Sequence, residues 1–139
     1  MARLAIMSAM HEELAALLER LRDNHDRPLE HRPGSLRAAR EAPAQRMPMV
    51  QVAGRSFWQT HWQGHDVVLV LSRIGKVAAA LTATVLLEKF KVKRMLFTGV
   101  AGGLAPHVSV GDVVVASELL QHDMNAEPLF PQYEVPLSG

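Results

Sequence analysis

The chain has 139 residues, 48% of them hydrophobic, and its 15 lysines and arginines against 14 aspartates and glutamates leave a formal charge of +1. This composition predicts one compact domain and gives no electrostatic reason to expect a nucleic acid or an anionic membrane as partner. Cysteine is absent, which excludes disulfides and thiolate metal sites. Apolar runs are too short to cross a bilayer and the first residues lack a signal-peptide pattern, so a cytoplasmic protein is predicted.

The first predicted elements are a strand and a helix. Residues 4–7 form a short apolar run that is typical of a buried strand. A helix is predicted from near His11, because leucines recur at helical spacing and give it one apolar face. Ser8 is a candidate N-cap, and Glu12 and Glu13 lie in the first turn, where the helix dipole favours negative charge.

Residues 24–48 do not continue this pattern. They show no sustained apolar period and carry many charges together with Pro28, Pro33, Pro43 and Pro48. This composition predicts a long surface loop rather than a linker between domains.

A group of antiparallel strands is predicted after the loop. Residues 50–71 indicate three short strands with turns at Ala53-Gly54-Arg55 and Gln63-Gly64-His65-Asp66. The last of them, residues 67–71, is continuously apolar, as expected of a central strand that is covered on both faces.

The remaining chain predicts a helix and two further strands. The helix runs from Val77 to about Phe90, and buried strands follow over residues 95–98 and 113–115. The tail from residue 121 to 139 is punctuated by proline and mostly irregular. Strands that alternate with helices predict an α/β fold with a mixed central β-sheet and helices on both of its faces.

Three segments directly follow predicted strands, at the sheet edge where open α/β folds bind ligands: residues 8–13, 72–76 and 98–103. Each has a structural alternative. The glycines of 98–103 either allow a close backbone approach to a ligand or form a tight turn, and their spacing matches neither a dinucleotide nor a phosphate-binding loop. Residues 74–76 either contact a ligand or simply connect a strand to a helix.

Glu13 is the candidate catalytic group. Acidic residues in a first helical turn are more often solvated partners of the helix dipole than catalytic groups. The alternative is a general base that holds and deprotonates a water molecule facing the anomeric carbon of a sugar. The residue alone does not decide between the two.

The order of the motifs is more specific than any one of them. Ala9-Met10-X-Glu12-Glu13 is followed by Ile74-Gly75-Lys76-Val77-Ala78-Ala79-Ala80, Thr98-Gly99-X-Ala101-Gly102-Gly103-Leu104 and Val110-Gly111-Asp112-Val113-Val114-Val115. In this order they resemble the bacterial methylthioadenosine/adenosylhomocysteine nucleosidases of the nucleoside phosphorylase superfamily, over about residues 1–23 and 50–139. The resemblance implies that the loop at 24–48 is an insertion. The resemblance implies a nucleoside phosphorylase-like fold that is truncated, since the chain matches the family's N-terminal half. Residues 1–139 would then be a single partial domain.

The resemblance also assigns site residues. Glu13 matches the family's general base for water, and Met10 and Ile74 match residues around the 5′-alkylthio group and the ribose. Other matches are to the segment along the nucleoside and to a loop that completes a dimer partner's pocket: Val100, Ala101 and Gly102 for the segment, and Phe130 and Pro136 for the loop. Val100 stands where many relatives have serine, which makes the pocket more apolar.

The implied activity is hydrolysis of the N-glycosidic bond of 5′-methylthioadenosine and S-adenosylhomocysteine, with release of adenine. Carboxylates at residues 12–13 would repel a phosphate, so hydrolysis is favoured over phosphorolysis. The resemblance implies a small-molecule nucleoside substrate, a homodimer and no metal or organic cofactor. The family's ribose-binding Met-Glu pair and its acid for adenine match nothing in this chain. The alternatives are another purine nucleoside hydrolase, such as a futalosine hydrolase, or an inactive binding or dimerisation module.

Overall fold

The computed structural model describes residues 3–25 and 47–136, so most of the predicted insertion at 24–48 lies outside the described residues. The elements in chain order are β1 (Leu4–Ser8), α1 (His11–His25), β2 (Met49–Val52), β3 (Arg55–Trp62), β4 (His65–Leu71), α2 (Lys76–Glu88) and β5 (Arg94–Phe97). Their number, order and approximate bounds confirm the prediction from residue 4 to residue 97.

The five strands form one sheet in the order β2-β3-β4-β1-β5. Strands β2, β3 and β4 are antiparallel, whereas β1 runs parallel to both β4 and β5. The two hairpin turns have positive φ at both central residues, which are Ala53-Gly54 and Gln63-Gly64. Paired positive φ angles suit the twist of adjacent antiparallel strands. The predicted mixed sheet is therefore confirmed.

One helix packs on each face of the sheet, because the side chains of the central strands alternate between the faces. In β4, Val67 and Leu69 join a core cluster with the leucines of α1, and Val68 and Val70 join a second cluster with Leu86 of α2. All four β4 side chains are at most 1% exposed. This confirms that β4 is a central strand covered on both faces.

Two predictions about apolar runs were wrong. Strand β5 was expected to be buried, but it pairs only with β1 within the described sheet, and Leu96 and Phe97 are 55% and 59% exposed. Residues 113–115 form no strand, and their three valines are exposed. An apolar run becomes a buried strand only where a neighbouring strand supplies backbone partners and other layers cover its faces.

Ser8 does not cap α1, contrary to the prediction. It ends β1 as a buried residue, and its Oγ has no hydrogen-bond partner among the described residues. The backbone of Ser8 instead ties β1 to the end of β4, since its carbonyl accepts a hydrogen bond of 2.8 Å from the N–H of Ser72.

The chain divides into two compact units, Met1–Ala101 and Gly102–Gly139. All the helices and strands named above belong to the first unit. Over residues 102–136 the second unit consists of turns and irregular segments. That the whole chain forms a single domain stays a prediction.

Candidate functional site

Glu13 lies in the first turn of α1, just beyond the carboxyl end of β1. Its Oε2 accepts hydrogen bonds from the backbone N–H groups of Ala9 at 3.0 Å and Met10 at 2.9 Å. Its Oε1 accepts a third hydrogen bond, of 3.0 Å, from the N–H of Val100. Because β1 and β5 are parallel neighbours, the turns that follow them meet at one sheet edge, and this carboxylate joins the two turns.

The three backbone donors stabilise the charged form of Glu13. The N–H of Val100 contributes most to lowering the pKa of this carboxyl below its ordinary value, followed by that of Met10, while desolvation opposes them in part. Glu13 is therefore ionised at neutral pH and can accept a proton. A carboxylate has about four acceptor positions, and the position left unoccupied by these donors is on Oε1.

Gly99 allows this arrangement. A Cβ atom built on Gly99 would lie 2.8 Å from Oε1 of Glu13, a distance that Cβ atoms essentially never show, and a tight 3.1 Å from its Cδ. A Cβ on Gly102 would meet nothing within 4 Å. Gly99 is not among the site residues predicted from the sequence. The available signal was a glycine at the end of a strand in the same motif order as an acidic helix start.

The structure brings together some of the predicted site residues. Met10 and Val100 both donate a backbone hydrogen bond to Glu13, although the Val100 side chain is 79% exposed. Ala101, the next residue, is also exposed. Ile74 lines a pocket of about 370 Å³ that also includes Ala9, another donor to Glu13.

The other predicted site residues belong to the second compact unit. Gly102 is exposed, whereas Phe130 and Pro136 are half-buried. The N–H of Phe130 donates a hydrogen bond of 3.2 Å to the carbonyl of Ala126 in a local turn. The roles assigned to these three residues stay predictions.

The described residues contain neither a metal-ligating cluster nor a membrane-spanning helix. Among residues 3–25 and 47–136, no group of three or more histidine, aspartate or glutamate side chains could hold a metal ion. None of the described helices is long and apolar enough to span a membrane.

Comparison with known proteins identifies bacterial nucleosidases as relatives of this chain. An aminodeoxyfutalosine nucleosidase of Campylobacter jejuni is 34% identical over 125 residues, which are 90% of this chain and 44% of the relative. A 5′-methylthioadenosine/S-adenosylhomocysteine nucleosidase of Oceanobacillus iheyensis is 37% identical over 123 residues, or 88% of this chain and 44% of the relative. The chain thus spans less than half the length of these curated relatives.

Solved structures give the same fold. A Helicobacter pylori nucleosidase variant with 5′-methylthioadenosine in its active site superposes with a TM-score of 0.78 at 26% identity, over 100% of this chain and 51% of that one. A Colwellia psychrerythraea 5′-methylthioadenosine/S-adenosylhomocysteine nucleosidase in complex with adenine has a TM-score of 0.76 at 32% identity, over 97% and 47% of the two chains. The nucleoside phosphorylase-like fold, predicted from the motif order, is confirmed.

The sequence profile that matches the chain covers nearly all of it. It describes the Phosphorylase superfamily and matches residues 3–138. The match includes the turns at residues 9–10 and 99–100 that hold the Glu13 carboxylate. The chain therefore belongs to the phosphorylase superfamily.

Proposed function

We propose that this chain provides the water-activating part of a nucleosidase that hydrolyses the N-glycosidic bond of 5′-methylthioadenosine and S-adenosylhomocysteine. The observation that carries the proposal is the Glu13 carboxylate, ionised by three backbone donors and left with one free acceptor position on Oε1. A carboxylate held in this way can orient a water molecule and accept its proton. The nucleosidase names of the relatives from two bacteria support the substrate class.

In the proposed reaction, Glu13 takes a proton from a water molecule that is bound at Oε1. The water oxygen forms a bond to the anomeric carbon, and the bond from that carbon to the base nitrogen breaks. The electron pair of the broken bond leaves with adenine, which takes up a proton from an acid outside the Glu13 site. The products are adenine and the free 5′-thio sugar, and the step needs neither a metal nor an organic cofactor.

The other assigned residues would hold the nucleoside. Met10 and Ile74 would contact the 5′-alkylthio group and the ribose, and the exposed segment Val100–Gly102 would run along the nucleoside. Exposed backbone in this segment is consistent with a ligand that covers it. The proposed enzyme is cytoplasmic.

We further propose a homodimer in which Phe130 and Pro136 complete the partner's alkylthio pocket. Its support is exposed apolar surface on two separate segments. Helix α2 exposes Val77 by 83% and Leu87 by 46%, and the tail exposes Leu129 by 83%. Apolar surface of this kind is usually covered in an assembly. Subunits carrying only Glu13→Gln, mixed with subunits carrying only Phe130→Ala, should regain activity if Phe130 acts in the partner's site, and mixtures no more active than their parents would contradict the shared pocket.

A second candidate is a nucleosidase for futalosine-type nucleosides. Two relatives favour it: the aminodeoxyfutalosine nucleosidase described above, and a Helicobacter pylori futalosine hydrolase variant, whose structure has a TM-score of 0.77 at 27% identity. The third alternative, an inactive binding or dimerisation module, predicts nucleoside binding without release of any base.

The products test the proposed function. The complete enzyme that contains this chain is incubated with 5′-methylthioadenosine, with and without inorganic phosphate, and the base and sugar are separated by chromatography. Adenine and the free sugar should appear at the same rate in both samples, because the carboxylates at residues 12–13 exclude phosphate from the reacting position. A phosphorylated sugar, or nucleoside binding without adenine release, would contradict the proposal.

A further inference from the structure

The pocket next to the Glu13 site contains two arginines that the proposed reaction does not use. Arg55, at the start of β3, and Arg73, after the end of β4, both line the pocket of about 370 Å³. Its wall also includes Trp58, Leu71 and Ile74. We propose that this pocket binds a carboxylate carried on the 5′ substituent of the nucleoside, with Arg55 and Arg73 as its ligands. The carboxylate site stands on the pocket itself, and only the nucleoside rests on the proposed function.

Backbone carbonyls hold both guanidinium groups in position. Arg55 donates from Nε to the carbonyl of Ser72 at 3.3 Å and from a terminal nitrogen to that of Ala53 at 2.9 Å. Arg73 donates from a terminal nitrogen to the carbonyl of Gly54 at 2.8 Å. A guanidinium carries five N–H donors, so each group keeps donors for a ligand after these bonds are made.

No ion pair among the described residues balances the charges of the two groups. Within the described part of the chain, neither Arg55 nor Arg73 has a carboxylate at ion-pair distance. Both guanidinium groups nevertheless bind carbonyls of consecutive residues, Ala53 and Gly54. The two cations therefore lie at the same turn, where an anion would reduce their mutual repulsion, although solvent screens part of it because Arg73 is exposed. Carboxylates fit such groups well, because a guanidinium can donate two parallel hydrogen bonds to one carboxylate.

The backbone at Arg73 is in a conformation that suits glycine better than arginine. Its φ is 70°, in the left-handed region that residues with a Cβ atom seldom adopt. Strain of this kind persists where a side chain has to be directed to a particular place, often a ligand site. The structural alternative is that Arg73 only braces the turn through Gly54, which predicts a role in stability and none in anion binding.

The pocket wall favours an organic carboxylate over inorganic phosphate. Trp58, Leu71 and Ile74 offer apolar surface to the stem of a carboxylate-bearing substituent, whereas phosphate has no apolar part to bury. Ala9 joins the pocket to the reaction centre, since it lines the pocket and donates its N–H to Glu13. S-adenosylhomocysteine carries a carboxylate on its 5′ substituent and 5′-methylthioadenosine does not. The two arginines would therefore favour nucleosides with an acidic 5′ substituent.

Binding of a simple carboxylate tests the site without any need for catalysis. The chain is labelled with ¹⁵N-arginine, and the Nε–H signals are followed by NMR during titration with benzoate, neutral benzamide and inorganic phosphate. Benzoate should shift the signals of Arg55 and Arg73 and saturate, whereas benzamide and phosphate should have much weaker effects. Saturation by phosphate with no response to benzoate would overturn the proposal, and so would equal responses to benzoate and benzamide.

Two variants separate binding from bracing. Arg73→Gly relieves the positive φ, so it should fold, and it should raise the dissociation constant of benzoate by about tenfold or more, as the loss of charge-assisted hydrogen bonds predicts. Arg94→Gln removes the same charge from an exposed position on β5 and should bind benzoate like the parent chain. If Arg73→Gly lowered the resistance to urea and left benzoate affinity unchanged, Arg73 would be a brace and the proposal would be wrong.

The same measurements distinguish this site from the proposed function. If benzoate binds through Arg73 but adenine is not released, the carboxylate site stands and the nucleosidase proposal fails. If adenine is released and benzoate does not bind, the nucleosidase stands and the carboxylate site fails. In an active enzyme, Arg73→Gly should raise KM for S-adenosylhomocysteine and leave KM for 5′-methylthioadenosine unchanged.

Discussion

Strands β4 and β5 are the two parallel neighbours of β1, and they are positioned in different ways. Leu69 of β4 and Leu96 of β5 are both register partners of Ile6, yet Leu69 is fully buried and Leu96 is 55% exposed. β4 has a strand on each side and a core cluster on each face. The carboxyl end of β5 is instead tied to β1 and the turn after it by polar contacts, which are the backbone hydrogen bond from Thr98 to Met7 and the hydrogen bond from Val100 to Glu13. Packing therefore positions the β4 side of the site, and the candidate catalytic carboxylate of Glu13 positions the β5 side.

The largest expected effect comes from removing the charge of that carboxylate. Glu13→Gln keeps the shape of the side chain but cannot accept a proton from water, so adenine release should fall by about 10²- to 10⁴-fold, as for the loss of a general base. Nucleoside binding should survive. Glu12→Gln is the matched control, because Glu12 is the exposed neighbour in the same turn and its variant should have a mild effect. The reverse ranking in an adenine-release assay would show that the base is assigned to the wrong residue.

The contrast between the two strands can be measured directly. Leu69→Ala should lower the free energy of unfolding by about 2–5 kcal/mol, because it leaves a cavity in a closed core. Leu96→Ala removes the same atoms from an exposed site and should change it by only about 0.5 kcal/mol. Urea unfolding of both variants gives the comparison. Equal losses would mean that β5 is covered in solution by a surface that the described residues do not supply.

A smaller effect is expected from alanine substitution of Gly99, whose added methyl group would meet Glu13, compared with Gly102 in the same segment, whose methyl group would not. Gly99→Ala places a methyl group against the Glu13 carboxylate, which should turn away and lose the hydrogen bond from Val100. Since that bond contributes most to the lowered pKa, the pKa of Glu13 should rise towards its ordinary value. Gly102→Ala should leave it unchanged, because its methyl group meets open space. NMR titration of the Glu13 carboxyl carbon measures the pKa in each variant.

The low-pH limb of the activity profile should move with that pKa. Adenine release by Gly99→Ala should require a higher pH than release by the parent chain. Gly102→Ala tests the pH dependence alone, because Gly102 belongs to the proposed nucleoside segment, and its low-pH limb should lie at the same pH as the parent's. If both glycine variants lowered activity equally with no change in the pH profile, Gly99 would have no specific part in positioning Glu13.

Local sequence signals were sufficient to predict helices and hairpins, because these elements are formed by residues that are close in the chain. The leucines of α1 and the turn residues 53–54 and 63–64 predicted a helix and hairpins that the structure confirms. The same reasoning located β5 but was wrong about its burial, because an apolar run does not reveal whether strands and helices will cover it. The prediction of a buried strand over residues 113–115 was wrong for the same reason.

In the candidate site, too, local sequence signals identify some residues and miss those whose role depends on distant parts of the chain. Glu13 could be singled out by its place after a strand and by the order of the motifs. The contact of Gly99 with Glu13 joins residues 86 positions apart (99 − 13), so it depends on the pairing of β1 with β5. The pocket shared by Arg55 and Arg73 depends in the same way on the pairing of β3 with β4. No local pattern marks either arrangement.

The smallest expected effect is on stability in acid, where the polar tie between β1 and β5 should weaken. In the folded chain the pKa of Glu13 lies below its ordinary value of 4.5, because the backbone donors, Val100 first, stabilise the carboxylate. In the unfolded chain the carboxyl returns to its ordinary pKa, so the unfolded state binds more protons as the pH falls. The stabilisation is therefore fully present above about pH 4.5 and is lost as the pH falls through the folded-state pKa. Solvent screening of this half-buried group keeps the effect small.

Urea unfolding from about pH 6 to about pH 3 measures this loss. The parent chain and the Gly102→Ala control should lose stability more steeply over this range than Glu13→Gln, whose amide does not titrate. Gly99→Ala should fall between them, since it removes one of the three donors from the carboxylate. Parallel profiles for the parent chain and Glu13→Gln would show that the donors do not favour the charged form. The turn after β5 would then be held to the turn after β1 without help from the Glu13 charge, and the distinction between a strand positioned by packing and one positioned by the site would not hold.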